Sequence, residues 1–219
     1  MTIGFFLSLK NDPTLYLHAS ALVRECRRLM PTCPVVQLSD TRTPPVPGVG
    51  EVQRLTPVES QAPLLDQRLS LYARCVGEWL LLDTDVQVRN SVAGVFDDAL
   101  FDVALCDRNW PHLPQGEPML QTMPFNTGVV FTRRELFWMQ VLDTYRSFPE
   151  AVRADWLSEQ QAVYAVVRSG RFRVKILSGM AYNYPPDRAD AIPPIAALVH
   201  YKGPRKAWRS TVAYQELSR

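Results

Sequence analysis

The feature that most constrains the fold is an apolar run, Trp79–Leu82, that ends in two aspartates separated by one residue. Four large apolar residues in succession predict a strand buried on both faces, and Val86 and Val88 resume the apolar pattern with a period of two. In an open α/β sheet, ligands bind at the carboxyl ends of the strands, so Asp83 and Asp85 are expected to face a crevice. Two such carboxylates can bind one hard divalent cation and the phosphate oxygens that it holds. An isolated Asp-x-Asp is more often a polar turn, so this prediction depends on the rest of the chain.

Length and composition predict one globular domain that spans residues 1–219. Of the 219 residues, 47% are hydrophobic and 21% are charged, as in ordinary globular proteins. No apolar run approaches the roughly 20 residues that a membrane-spanning helix needs, and the first predicted strand carries no basic leader or cleavage site. The formal net charge of +2 is too small to identify a partner.

The cysteines indicate a reducing compartment. Cys26, Cys33, Cys75 and Cys106 form no Cys-x-x-Cys pair and have no histidine at metal-ligand spacing, which argues against a zinc site. We therefore predict reduced, mostly buried thiols and a cytoplasmic location.

The order of strand and helix patterns predicts an α/β fold. The first strand, helix and strand form a unit that favours parallel pairing, so we expect a mixed, mostly parallel sheet flanked by helices. Besides the run described above, strands are predicted at Ile3–Leu9, Val35–Leu38, Glu51–Leu55, Phe101–Leu105, Asn126–Phe131, Phe172–Leu177 and Ala196–His200. Amphipathic helices are predicted at Leu15–Met30, Asp66–Val76, Arg133–Phe148 and Leu157–Val167. The segment 201–208 is predicted to be a loop.

Polar side chains stand at the start of two predicted elements. Asn126 and Thr127 offer amide and hydroxyl groups at the start of a strand, and Gly128 lets a ligand approach the backbone closely. Glu159 and Gln160 place an acid and an amide at a helix N-terminus. Neutral hydrogen-bonding groups suit the hydroxyls of a sugar ring. Capping of the strand and helix ends is the alternative interpretation for Asn126 and Gln160.

The last predicted strand ends in His200, followed by Gly203 and Lys206. A neutral imidazole can complete a metal site opposite two carboxylates. Glycine permits close backbone approach, and lysine balances phosphate charge. This spacing suits a diphosphate held against a metal ion.

Several further residues have two interpretations each. Asn11, Asp12 and Asp40 follow the first two strands and could contact the base or ribose of a nucleotide, although their role as turn formers is the stronger interpretation. Arg68 lies on a helix face that could face the crevice and bind phosphate, or it could be a solvated helix charge. His112 is predicted to be a surface residue of a mobile rim.

Four motifs together resemble the family 8 glycosyltransferases, the group that includes glycogenin and bacterial lipopolysaccharide galactosyl- and glucosyltransferases. The family has a Leu-Asp-x-Asp, a Phe-Asn-x-Gly-Val, an Asp-Gln pair and a His-x-x-Gly-x-x-Lys-Pro-Trp signature. In the same order, this chain has Leu82–Asp85, Phe125–Val129, Glu159–Gln160 and His200-x-x-Gly203-x-x-Lys206-x-Trp208. Each match alone is weak, but the ordered set is fairly specific.

The resemblance implies a GT-A type fold, a nucleotide-diphospho-sugar donor that is commonly UDP-linked, and a Mn²⁺ or Mg²⁺ ion. The metal ligands that it implies are Asp83, Asp85 and His200. Around the nucleotide diphosphate it implies Gly203 and Lys206, with Thr84 of the Leu-Asp-x-Asp motif beside them. From their positions in the chain, Asn11, Asp12 and Arg68 are further donor-binding candidates. Near the donor sugar it implies the catalytic candidates Asn126, Glu159 and Gln160.

The sequence departs from the family pattern at three places. Ala207 replaces the usual proline, Glu159 replaces aspartate, and Lys10-Asn11-Asp12 matches the family's acidic nucleotide loop poorly, which leaves the base open. Members of the family retain the anomeric configuration, so transfer of a hexose with retention is expected.

Other functions remain open at this point. A sugar-nucleotide nucleotidyltransferase would need a glycine-rich phosphate loop after the first strand, and Gly4 is the only glycine before Gly48. A non-catalytic sugar-nucleotide-binding module on the same scaffold is a second alternative. The acceptor could be a glycan, a lipid-linked glycan, a protein or a hydroxylated DNA base, for which the basic residues around Lys206 are modest evidence. The oligomeric state cannot be inferred.

Overall fold

The computed structural model describes residues 1–9, 14–98, 100–108, 118–187 and 192–218. The strands are β1 Thr2–Leu7, β2 Val35–Ser39, β3 Glu51–Arg54, β4 Trp79–Leu82, β5 Val86–Val88, β6 Val103–Asp107, β7 Phe125–Thr132, β8 Val174–Leu177 and β9 Leu198–His200. The α-helices are α1 Thr14–Leu29, α2 Leu64–Tyr72, α3 Pro118–Thr122, α4 Glu135–Ser147, α5 Glu150–Arg153, α6 Ser158–Arg168, α7 Gly179–Tyr182 and α8 Lys206–Leu217. Short 3₁₀ turns lie at Glu59–Gln61, Ala93–Asp97 and Gly203–Arg205.

A seven-stranded sheet forms the centre of the fold, in the order β3-β2-β1-β4-β7-β6-β8. Strands β1 to β4 pair in parallel, as do β6 and β8, whereas β7 runs antiparallel to both β4 and β6. The predicted mixed, mostly parallel sheet is therefore confirmed. Because β7 is antiparallel to β4, the first residues of β7 lie beside the last residues of β4, which brings Asn126–Gly128 next to Asp83.

Strand β4 is buried on both faces, as its unbroken apolar run predicts. Leu80 and Leu82 belong to the core cluster that includes Leu22 of α1, whereas Trp79 and Leu81 belong to the cluster under α2, α4 and α6. Burial of a leucine side chain contributes about 1.5–3 kcal/mol. These contacts hold the carboxyl end of β4, and with it the two aspartates, in one place.

The two valines after the aspartates do not continue the central sheet. β5 instead pairs antiparallel with β9 in a second, two-stranded sheet, in which Val86 lies opposite His200. The backbone turns between Asp83 and Val86, where the amide of Val86 donates to the carbonyl of Asp83 at 3.1 Å. This pairing places His200 beside the aspartates, although more than 110 residues separate them in sequence.

The end of the chain is helical, so the prediction of a loop over 201–208 is wrong from Gly203 onwards. Helix α8 packs against α1, and Arg209 forms a buried ion pair with Glu25 at 2.8 Å. Glu25 also accepts a hydrogen bond from the amide of Val88 at 2.8 Å. The basic residues at the start of α8 obscured its apolar face in the sequence. Loss of one partner of a buried ion pair leaves an uncompensated charge, so this contact anchors α8.

Other predicted boundaries were correct to within a few residues. The helix predicted at Asp66–Val76 ends at Tyr72, and the strand predicted at Phe101–Leu105 begins at Val103. All four cysteines are free. Over the described parts of the chain, the helices are too short or too polar to cross a lipid bilayer.

Candidate active site

A cavity of about 430 Å³ opens at the carboxyl end of β4. With the exception of Asp40, the predicted site residues that the structure describes line it: Arg68, Asp83, Thr84, Asp85, Asn126, Glu159, Gln160, His200, Gly203 and Lys206. Asn11, Asp12 and His112 lie outside the described residues. Five separate segments of the chain thus meet in one place, the four motifs and helix α2 with Arg68.

At the floor of this cavity, three ligand atoms converge. Nε2 of His200 lies 3.0 Å from Oδ1 of Asp85 and 3.4 Å from Oδ2 of Asp83. The three ligand atoms lie within 4.8 Å of one another. We call Asp83, Asp85 and His200 the three-ligand cluster.

The carboxylate oxygens of Asp83 and Asp85 that do not face His200 each contact a basic side chain. Nη2 of Arg68 lies 2.8 Å from Oδ1 of Asp83, and Nζ of Lys206 lies 3.4 Å from Oδ2 of Asp85. Each carboxylate therefore turns one oxygen towards a basic side chain and the other towards His200. Two carboxylate oxygens and one imidazole nitrogen form a donor set that suits Mn²⁺ or Mg²⁺.

The surroundings of Asp85 lower the pKa of its carboxyl. Burial alone would raise the pKa of this carboxyl, but its charge interaction and hydrogen bond with His200, together with those of Lys206, lower the pKa well below its usual range. A ligand for a divalent cation has to be deprotonated, and this environment favours the deprotonated form.

The other nitrogen of His200 takes part in a buried hydrogen-bond chain. Nδ1 of His200 lies 2.9 Å from Oδ1 of Asn183, and Nδ2 of Asn183 donates to Oδ1 of Asn126 at 2.8 Å. Asn183 is fully buried. It directly follows α7, and its sequence context carried no signal that would identify it as a site residue.

Gly128 is a glycine because of His200, and the approach of a ligand is not the reason. A Cβ atom at position 128 would lie 2.0 Å from Cε1 and 2.4 Å from Nδ1 of His200, and 2.9 Å from Oδ2 of Asp83. No side chain fits between β7 and the imidazole ring. The sequence correctly predicts a close approach at Gly128, but the group that approaches belongs to the protein itself.

Arg68 is buried in the cavity wall, so its interpretation as a solvated helix charge is wrong. Besides its ion pair with Asp83, it lies 3.5 Å from Oε2 of Glu159 and donates to the carbonyl of Thr127 at 3.2 Å. Burial raises the pKa of Glu159, against the lowering effect of Arg68. Arg68 thus connects the three-ligand cluster to the start of α6.

Arg108 and Lys202 also line the cavity, and the sequence motifs did not predict either of them. Arg108 donates to Oε1 of Gln160 and, at 3.1 Å, to the carbonyl of Phe125. Burial lowers the pKa of Arg108 to about 10. Burial and the nearby Arg108 also lower the pKa of Lys202 well below its usual value, although Asp83 raises it. Arg108 stands in no recognisable motif, but Lys202 lies two residues after His200, where its position could have been read from the signature.

Asp40 does not line this cavity. Its carboxylate accepts hydrogen bonds from Ser8, from the amides of Arg42 and Thr43, and from the hydroxyl of Thr43. The structure therefore supports Asp40 as a turn former and not as a contact for the base or ribose in this cavity. It lies at the wall of a second cavity of about 540 Å³.

Comparisons with known proteins find similarity at the level of structure. No protein-family model matches the chain, and no curated protein matches it. A glycosyltransferase involved in glycosylation of the major capsid of PBCV-1 shares 16% identity and a TM-score of 0.61, over 98% of this chain and 100% of its own. The galactosyltransferase LgtC, solved with donor and acceptor sugar analogues, shares 16% identity and a TM-score of 0.61, over 100% of this chain and 95% of its own.

A third structure is the glycosyltransferase GlyE of Streptococcus pneumoniae TIGR4, with 14% identity and a TM-score of 0.63, over 99% of this chain and 63% of its own. The identities are low, but the coverage of this chain is nearly complete in all three comparisons. The chain therefore has the GT-A type fold of these glycosyltransferases, as the motifs predict.

Proposed function

We propose that the protein is a metal-dependent glycosyltransferase that moves a hexose from a UDP-sugar to a hydroxyl acceptor, with retention of anomeric configuration. The observation that carries this proposal is the three-ligand cluster, which lies in a GT-A type fold beside Lys206. The galactosyltransferase LgtC, which is similar in fold, was solved in complex with donor and acceptor sugar analogues.

Asp83, Asp85 and His200 would hold the cation, Mn²⁺ or Mg²⁺. Such an ion acts as a Lewis acid that stabilises negative charge on the departing diphosphate. Side chains of the protein would bind and orient the rest of the donor. Lys206 contacts Asp85 and is partly exposed, so its ammonium can turn towards a diphosphate that enters the cavity.

Charge separation is the step that these residues would assist. As the bond between the anomeric carbon and the diphosphate oxygen lengthens, its electron pair stays with the phosphate, and the sugar becomes cation-like. Fixed positive groups that already face the phosphate stabilise this charge as it develops, and loss of one such group typically costs about 3 kcal/mol of barrier lowering. Lys206 has this role in the proposal.

The donor sugar would lie against Asn126, Glu159 and Gln160. These side chains line the same cavity as the three-ligand cluster. The carboxylate of Glu159 already interacts with Arg68, and Gln160 with Arg108. Their orientations are therefore set before a sugar binds, which favours a positioning role.

The acceptor would enter past Trp156. This side chain is 61% exposed, although it lines the cavity together with Leu64 and Leu157. An exposed aromatic ring at the mouth of a polar cavity supports an acceptor with a flat face, such as a sugar ring or an unpaired base. A glycan, a glycosylated protein or a nucleic acid each fits this description.

Calorimetric titration of UDP with and without Mn²⁺ tests the proposal. We expect Mn²⁺ to increase the affinity of the wild type for UDP, and Asp85→Asn to remove most of this increase. Asp143→Asn is the matched control, because Asp143 is an exposed aspartate on α4. Equal UDP affinity in the wild type and Asp85→Asn at every Mn²⁺ concentration would contradict the proposal.

Release of sugar from UDP-glucose or UDP-galactose distinguishes an enzyme from a binding module. We expect slow hydrolysis of the donor by the wild type in the absence of acceptor, and less in the Lys206→Ala variant. Metal-dependent UDP binding without hydrolysis of any donor would favour the non-catalytic module.

A further inference from the structure

A chain of hydrogen bonds leads from the backbone of β7 to the imidazole of His200. The amide of Gly128 donates to Oδ1 of Asn126 at 3.1 Å, and Nδ2 of Asn183 donates to the same oxygen at 2.8 Å. Oδ1 of Asn183 lies 2.9 Å from Nδ1 of His200. Asn126, Asn183 and His200 are all buried, with 5%, 0% and 3% of their surfaces exposed.

The donor and the acceptor in each of these hydrogen bonds follow from the first one, which the amide of Gly128 donates to Asn126. A backbone N–H can only donate, so the atom of Asn126 that faces Gly128 has to be the oxygen. That oxygen then requires a donor on Asn183, which places the amide nitrogen of Asn183 towards Asn126 and its oxygen towards His200. An amide oxygen can only accept, and therefore Nδ1 of His200 carries a proton.

The opposite direction is excluded by its cost. If Nδ1 of His200 lacked a proton, the amide of Asn183 would have to rotate so that its nitrogen donates to His200. Its oxygen would then face the oxygen of Asn126 at 2.8 Å, with no proton between them. Each buried polar group left without a partner costs about 1–3 kcal/mol, and two acceptors in contact also repel each other.

We propose that Asn183, oriented by Asn126, is a positioning residue that keeps a proton on Nδ1 of His200, so that Nε2 is the nitrogen available to bind a cation. Nε2 is the nitrogen that faces Asp83 and Asp85, at 3.4 and 3.0 Å. The ligand nitrogen of a metal-binding histidine is commonly set in this way by the partner of its other nitrogen. This role rests on the proposed function, because it presumes a cation at the three-ligand cluster.

The same hydrogen bonds also limit which hydrogen-bonding groups Asn126 can offer to a substrate. Its oxygen already accepts two hydrogen bonds, whereas its Nδ2 has no hydrogen-bond partner among the described residues. Asn126 lines the cavity. It therefore presents N–H donors to the donor substrate, and its preferred contact is an oxygen that accepts, on a sugar or on the diphosphate.

Mn²⁺ binding by the protein alone, without UDP, tests the role of Asn183. Asn183→Leu removes the acceptor and keeps the number and branching of the side-chain heavy atoms. We expect it to weaken Mn²⁺ binding about 10–100-fold, as measured by the paramagnetic resonance of free Mn²⁺. Gln37→Leu is the matched control: Gln37 is a fully buried amide on β2 with three hydrogen bonds. Its removal should lower thermal stability and leave Mn²⁺ affinity unchanged. Mn²⁺ affinity of Asn183→Leu within twofold of the wild type would overturn the role.

Nitrogen NMR of the wild type provides a test that needs no folded variant of Asn183. The chain has only three histidines, so His200→Gln identifies the signals of His200. With Cd²⁺ as a diamagnetic ion, we expect a proton on Nδ1 and none on Nε2. Cation binding with an unprotonated Nδ1 would overturn the role of Asn183 alone. Absence of any Mn²⁺ or Cd²⁺ binding by the wild type would overturn the proposed function and this role together.

Discussion

Substitution of Gly128 by alanine tests how tightly the fold holds the imidazole of His200. The new Cβ would lie 2.0 Å from Cε1 of the ring, whereas two carbon atoms in contact are normally about 3.5 Å apart. The ring therefore has to move by roughly 1.5 Å, the difference between these two distances. It has little room to do so, because His200 is buried and its Nδ1 is bonded to Asn183.

A shift of this size removes Nε2 from its contacts with Asp83 and Asp85. We expect Gly128→Ala to weaken Mn²⁺ binding about a hundredfold, or about 2.7 kcal/mol. Forcing a methyl group into a packed site also costs about 1–3 kcal/mol of folding free energy. Titration with Mn²⁺ measures the first quantity, and urea unfolding in the absence of metal measures the second.

Two further variants show whether the clash is the cause. Gly50→Ala is the control, because a Cβ at position 50 would meet its nearest neighbour, the carbonyl of Val35, at 3.6 Å, an ordinary contact. In a His200→Ala background the ring is absent and only Oδ2 of Asp83, at 2.9 Å, stays too close to the new Cβ, so Gly128→Ala should cost less stability than in the wild type. Wild-type Mn²⁺ affinity and stability in Gly128→Ala, or the same loss of stability with and without the His200 ring, would refute the reasoning.

Two other predictions concern the acceptor and the stability of the fold. In steady-state assays, Trp156→Ala should raise the KM for the acceptor about tenfold, since stacking on an aromatic ring is worth about 1–3 kcal/mol. Tyr214→Ala is the control and should leave this KM unchanged. Tyr214 lies outside the cavity, and its exposed fraction of 64% is similar to the 61% of Trp156. Burial would raise the pKa of Asp40, but hydrogen bonds from Ser8, Arg42 and Thr43 lower it below the ordinary 3.8. The Asp40 carboxylate therefore stabilises the fold above pH 3.8, and its contribution is lost as the pH falls. Asp40→Asn should cost about 1–3 kcal/mol at pH 7 in urea unfolding, and a difference from the wild type that stayed constant down to pH 3 would contradict this account.

The buried strand and the polar motifs could be identified from local sequence alone. An unbroken apolar run such as Trp79–Leu82 has few alternatives to a strand covered on both faces, because each of its side chains must leave water. Helix α1 buries Ala19, Leu22, Val23 and Cys26, at the helical spacing that its sequence predicts. Strand and helix patterns of this kind depend on residues that are close together in the chain, so they can be predicted from the sequence.

Partners distant in sequence could not be identified in this way. The role of Asn183 depends on its contacts with Asn126 and His200, and the basic start of α8 resembled a loop until its packing on α1 was known. Arg68 likewise offered two interpretations, and only its position between Asp83 and Glu159 distinguishes them.

The sequence by itself determined the class of fold, the central strand and the residue types that converge on the cavity, because these follow from local periodicity and from the chemistry of short motifs. The tertiary structure decided which atom of each residue faces which neighbour. The antiparallel pairing of β4 with β7 and of β5 with β9 brings Gly128, Asp83 and His200 together. The direction of each hydrogen bond and the space for each side chain depend on contacts between residues distant in sequence, which no local pattern records.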